Sequence, residues 1–113
     1  MAVFVSNITI EQGFDFDTSF QLEDTRTNTP LVLNGAATEG MLRKSYTSAS
    51  AVSFASTVSD DVNGIISISL TSSQTVALKA GRYVYDVELI LSDSTIEKVH
   101  YGIITVNPEA TKV

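Results

Sequence analysis

Between Ile8 and Leu22 the apolar residues keep to even positions. Ile8, Ile10, Phe14, Phe16, Phe20 and Leu22 alternate with Glu11, Asp15, Asp17, Ser19, Gln21 and Glu23. A period of two places successive side chains on opposite faces of an extended strand, so this stretch predicts strands with one face buried and one wet. Gly13 interrupts the run and predicts a bulge or bend where the chain changes partner or sheet. The alternation returns three times: at Val52, Phe54, Ser56 and Val58, at Ile66, Ile68 and Leu70, and at Tyr83, Tyr85, Val87, Leu89 and Leu91. Between these runs lie turn signals. They are Asn34-Gly35, the Asp60–Gly64 stretch with Asn63-Gly64 as its positive-φ pair, and Ser92-Asp93-Ser94.

The remaining segments are less regular. Asp24 to Pro30 reads as a loop, Thr38 to Tyr46 as a strand and Ser45 to Ala51 as a loop. Thr71 followed by Gln74 has the form of a capping box, which predicts about two turns of helix over residues 72–79, closed near Gly81. Thr95 to Val106 returns as a strand with apolar residues on both parities, which predicts a central position or a subunit contact. Asn107-Pro108 ends it.

Strands at this spacing predict one domain over residues 1–113: an immunoglobulin-like antiparallel β-sandwich of about seven strands with one short helical turn. The expected core contains Phe14, Phe16, Phe20, Leu22, Val52, Phe54, Ile66, Ile68, Leu70, Leu78, Tyr83, Tyr85, Val87 and Leu89.

Composition removes whole classes of function. Among 113 residues there is no Cys, so disulfide scaffolds, thiolate metal sites and cysteine catalysis are excluded. One His leaves little for zinc or triad chemistry. It sits within the last strand, between Val99 and Tyr101, and is expected to face solvent or lie at the rim. A formal net charge of −6, with Arg43-Lys44 and Arg82 isolated, argues against nucleic acid and anionic membranes as partners. No apolar run approaches the ~20 residues of a membrane-spanning helix, and Met1 to Asn7 lacks the basic and apolar regions of a secretory signal. Asp15 and Asp17 fall on the wet face of a strand. The Asp60–Gly64 turn fails the calcium-loop pattern, because Ser59 and Leu70 occupy the positions that need Asp and Glu. Tyr46, Tyr83, Tyr85 and Tyr101 are candidates for a sugar-stacking platform. No catalytic residue, metal ligand or cofactor site is predicted.

The most specific stretch runs from Leu78 to Val87 and reads L-x-x-G-x-Y-x-Y-D-V. Its structural residues are Gly81, Tyr83, Tyr85 and Asp86. In immunoglobulin-like sandwiches a comparable Tyr near a strand start ties its hydroxyl to nearby backbone.

Other motifs stand around it in a fixed order. They are Gly13-Phe14-Asp15-Phe16, Pro30 to Gly35 (P-L-V-L-N-G), Met41-Leu42-Arg43, Ile68 to Thr71 (I-S-L-T), Gly81 to Val87, and Gly102 to Pro108 (G-I-I-T-V-N-P). This layout covers nearly the whole chain. It resembles small virion structural proteins of tailed bacteriophages, in particular the N-terminal domains of baseplate upper proteins. The resemblance implies a non-enzymatic protein of the virion, assembled in the host cytoplasm into head, neck, tail or baseplate. Its partners would be other virion proteins and copies of itself. Val3, Phe4 and Val5 at the apolar opening, and Pro108 and Val113 in the tail, are the candidate assembly contacts. A carbohydrate- or surface-binding β-sandwich module is the alternative.

Overall fold

The computed structural model describes residues 4–24, 29–30 and 32–108. Its strands, in chain order, are β1 (Phe4–Val5), β2 (Ile8–Glu11), β3 (Phe16–Gln21), β4 (Glu23–Asp24), β5 (Thr29–Pro30), β6 (Ala37–Arg43), β7 (Val52–Ser53), β8 (Ala55–Asp60), β9 (Ile65–Leu70), β10 (Gly81–Ile90) and β11 (Ile96–Asn107). The helix α1 (Ser72–Val76) lies between β9 and β10.

Two sheets carry the core. The larger runs β1-β11-β10-β6-β7, with β2 also paired to β11, and the smaller runs β3-β9-β8. This is the strand order of an immunoglobulin-like sandwich. It contains more short strands than the seven expected, and it is not wholly antiparallel. β1 and β2 both pair parallel to β11 in one continuous register, Phe4 with His100 and Ile8 with Ile104. The stretch read as a loop over Asp24 to Pro30 begins and ends in a ribbon, Glu23 opposite Pro30 and Asp24 opposite Thr29. Residues 25–28 of it lie outside the described residues.

The period-two pattern holds on β9 and β10. Ile66, Ile68, Leu70, Tyr85, Val87 and Leu89 are buried, and Ile65, Ser67, Ser69 and Asp86 face outward. On β6 the alternation is cleaner than its sequence suggests, with Thr38, Gly40 and Leu42 inward and Glu39 and Met41 outward. The Val52–Val58 run keeps its parity but serves both sheets. β7 pairs with β6, β8 pairs with β9, and the buried Phe54 crosses between them.

Three expectations are corrected. Phe14 is not in the core but 59% exposed. Gly13 turns with φ of 87° as the chain passes from the larger sheet to the smaller. The turn interrupts the alternation and directs Phe14 outward, and even positions face inward again from Phe16. The helix is one turn long rather than about two, although its capping box forms as predicted, with Thr71 as N-cap and Gln74 closing the box. In the Asp60–Gly64 turn only Gly64 has positive φ, at 70°. Asn63 is held instead by Asp60, whose carboxylate accepts from the Asn63 backbone N–H at 3.1 Å and from its side chain at 2.8 Å.

His100 is the fourth correction. It is 5% exposed, not at the rim. Opposite Val87 stands His100, and opposite the next residue, Glu88, stands Lys98. Val99 is therefore the extra residue of a β-bulge, which shifts the inward parity of β11 by one. Val99 and His100 are both buried as a result, and Gly102, Ile104 and Val106 follow on the inner face. The bulge accounts for the buried Val99 on the odd parity, while Tyr101 and Ile103 on that parity face outward. β11 is also central, with β10 on one side and β1 and β2 on the other.

Aromatic rings link the two sheets. Phe16 lies 6.4 Å from Phe54, Phe54 meets Tyr85 edge-on at 6.4 Å, Tyr85 lies 6.1 Å from His100, and His100 stacks on Phe20 at 3.8 Å. Each such contact adds to the area-proportional burial of the rings.

Candidate assembly surface

The Gly81–Asp86 motif is split between core, corner and outer face. Tyr83 is half-buried near the start of β10, and its hydroxyl donates to the Lys79 carbonyl at 2.7 Å. That is the tyrosine corner that the sequence pattern predicted. Lys44 lies over the same ring, 4.9 Å from its centroid. Tyr85 points inward and is 1% exposed, and its hydroxyl donates to the Ser6 carbonyl at 2.8 Å. Burial pushes this phenol up to about 12. Asp86 points outward and pairs with Lys98 at 3.8 Å.

The Ser6 contact shows how the N-terminal strand is seated. Ser6 lies between β1 and β2, and its N–H donates to the Tyr101 carbonyl at 2.9 Å. Its backbone presses on Gly102 so closely that a Cβ there would collide with the Ser6 carbonyl oxygen. Glycine at 102 is required by this approach.

Of the candidate contacts, Phe4 and Val5 lie in β1, paired with His100 and Tyr101. Pro108 is exposed just past the end of β11. At about 3.3 Å per residue, some 25 Å of strand separates Pro108 from the β1 pairing, so they do not form one patch. Val3 and Val113 lie outside the described residues.

At the end of the sandwich where β11 finishes, α1 is fastened to the β2–β3 turn. The Thr75 hydroxyl, fully buried, donates to the Phe14 carbonyl at 2.8 Å and accepts from the Gly13 N–H at 3.1 Å. Asp15 accepts from the Ser72 N–H at 2.7 Å. A carboxylate there supplements the Thr71 cap, so this exposed acid has a structural partner. Asp17 is exposed on the outer face of β3.

The outer face of the larger sheet was not singled out by sequence. Met41, Val84, Tyr101 and Ile103 project from it, with Met41 and Ile103 about two-fifths exposed. Tyr46, in the loop after β6, is 59% exposed. Lys98 bridges its two aromatic neighbours, 5.9 Å from the Tyr46 centroid and 5.5 Å from that of Tyr101. A groove of about 210 Å³ lies among Glu39, Met41, Arg43, Tyr46 and Asp86. That is less than the roughly 300–1,000 Å³ typical of small-molecule sites. Glu39 stands directly opposite Glu88, a cross-strand repulsion. The four tyrosines do not form one platform: Tyr85 is in the core, Tyr83 is at the corner, and Tyr46 and Tyr101 flank Lys98. Among the described residues no group of three or more His, Cys, Asp or Glu could hold a metal ion, and no helix is long and apolar enough to cross a membrane.

Comparison of the sequence with protein-family models and with curated proteins gave no match. Comparison with solved structures gave matches at low identity. AggA, the major subunit of the type I aggregative adherence fimbriae of Escherichia coli, aligns with a TM-score of 0.47 at 12% identity over 89% of each chain. Murine CRIg aligns with a TM-score of 0.41 at 15% identity, over 91% of this chain and 92% of that one. A family 123 glycoside hydrolase from Clostridium perfringens aligns with a TM-score of 0.42 at 11% identity, where 96% of this chain matches 24% of the enzyme.

Proposed function

We propose that this β-sandwich is a non-enzymatic structural component of a tailed-phage virion. It acts in head decoration, neck, tail or baseplate by binding other virion proteins and copies of itself. The observation that carries the assembly reading is the outer face of the larger sheet, where Met41, Ile103 and Tyr46 stand exposed around a shallow groove. A face of this kind suits a protein partner better than an enclosed small molecule. The burial of His100 against Phe20 and Tyr85, with little of it open to solvent, supports a non-catalytic role. The phage setting is supported by the order of motifs from Gly13 to Pro108.

Two measurements test this reading. Light scattering across concentration should show an oligomer that Ile103→Lys weakens without changing the melting temperature. Immunogold labelling of particles from the corresponding phage lysate should decorate the virion. Unlabelled particles would overturn the virion assignment, and indifference of assembly to Ile103→Lys would remove this face from it.

A glycan-binding role is the second reading, favoured by Tyr46 and Tyr101 on either side of Lys98. It predicts glycan-array signals that Tyr46→Ala abolishes.

A further inference from the structure

β3 is an edge strand. Among the described residues its one strand partner is β9, in unbroken register from Phe16 opposite Leu70 to Gln21 opposite Ile65. The direction of its backbone groups follows from alternation. The Leu22 N–H donates to the Gly64 carbonyl, on the β9 side, at 2.7 Å. In an antiparallel ladder, residues bonded to one neighbour alternate with residues whose N–H and C=O point the other way. Phe16, Thr18 and Phe20 therefore bond to β9. Asp17, Ser19 and Gln21 hold their backbone donors and acceptors toward the free edge.

The other edges are blunted in ways that prevent strand addition. β7 is two residues long, and β1 and β2 are short and interrupted at Ser6. β8 has a register shift between Val58 and Asp60, and the Ser56 hydroxyl ties it to the Thr38 carbonyl of the larger sheet at 2.8 Å. β3 has none of these devices. It is six residues long and regular, contains no Pro, Lys or Arg, and has Asp17 as its single charge. Its inward Phe16 and Phe20 are only partly buried, and an added strand would cover them further.

We propose that β3 pairs antiparallel with β3 of a second copy about a two-fold axis at Ser19, joining two three-stranded sheets into one of six strands. The strand is self-complementary in this register. Ser19 faces its own equivalent, and Asp17 of each copy faces Gln21 of the other. All three outward residues then exchange backbone hydrogen bonds, no like charges are opposed within β3, and the contact is closed and isologous. This goes beyond the assembly reading above, because it rests on the edge of the smaller sheet and not on the outer face of the larger.

The chain has no Cys, so single thiols report the register directly. Ser19→Cys would bring two Cα atoms to about 5.5 Å across the axis, within the roughly 4.4–6.8 Å that a disulfide spans. In the same register two copies of Asp17→Cys hold their thiols about 13 Å apart. Mild oxidation should therefore link Ser19→Cys into a covalent dimer. Asp17→Cys and Gln21→Cys should each stay unlinked alone and link when mixed. Ser19→Lys, which sets two charges face to face, should weaken the dimer about fivefold by light scattering while leaving unchanged the circular dichroism melt of the dilute monomer. Equal linking at 17 and 19, or a strictly monomeric wild-type chain at millimolar concentration, would overturn the proposal. Oligomers that form while Ser19→Cys stays unlinked would overturn this edge and leave the outer-face reading intact. Linked Ser19→Cys with assembly indifferent to Ile103→Lys would do the reverse.

Discussion

His100 is the residue whose chemistry is most altered by the fold. It stacks on Phe20 from the opposite sheet and lies beside Tyr85, and burial pushes its imidazole below the ordinary 6.5. The folded chain then binds fewer protons at this site than the unfolded chain, so stability falls as the pH drops below the unfolded value. We expect constant stability above pH ~6.5 and a decline below it, with a slope of at most about 1.4 kcal/mol per pH unit from this one group. His100→Phe should flatten that window in urea titrations, and a persisting slope would assign the effect elsewhere. The exposed carboxylates of Asp60 and Asp93, held below their usual 3.8 by hydrogen bonds to Asn63 and Thr95, also lose their contribution on acidification, but in a separate and lower window. Apolar residues on both parities of β11 leave the side of this residue undecided in the sequence. The Val99 bulge that buries it depends on how β11 meets β10, and no local pattern reveals it.

Among the elements, the N-terminal strand depends on one small position. Ser6 folds inward between β1 and β2, meets Gly102, and receives the Tyr85 hydroxyl. Gly102→Ala should force this crossing apart and cost about 1–3 kcal/mol, as overpacked sites do. Loss of hydrogen-exchange protection should then concentrate on residues 4–11 and their partners in β11. Uniform loss over both sheets would contradict this account. The G-I-I-T-V-N-P motif marked Gly102 in the sequence without showing why it must be glycine. The reason lies 96 positions earlier in the chain, as the pairing of Phe4 with His100 and Ile8 with Ile104 shows. The tyrosine corner was more legible, because Tyr83 and its acceptor Lys79 are separated by one short turn and both lie within the recognised motif.

For the whole molecule, stability rests on the layer between the two sheets. Ile68 lies at the middle of β9, fully buried and opposite Thr18 on β3 and Ser56 on β8. Ile68→Ala should cost about 2–5 kcal/mol, a large share of the roughly 5–15 kcal/mol that holds a domain folded. Denaturant unfolding should show one cooperative transition moved to lower concentration with its slope unchanged. A negligible shift would mean that this layer does not carry the fold. Phe16 is only partly buried and should cost less when replaced, because less apolar area returns to water.

The sequence by itself determined that the chain makes strands, where β9 and β10 place their buried faces, where the turns fall and how the helix begins. Side-chain direction along a strand, capping and turn preference are set by neighbours within a few residues, so they can be read locally. The tertiary structure decided the rest: Phe54 carrying the chain between sheets, the bulge that takes His100 into the core, the parallel seating of β1 and β2, and the unblunted edge of β3. Each depends on which distant backbone lies alongside, and the pairing of distant segments is settled by the packing of the whole molecule.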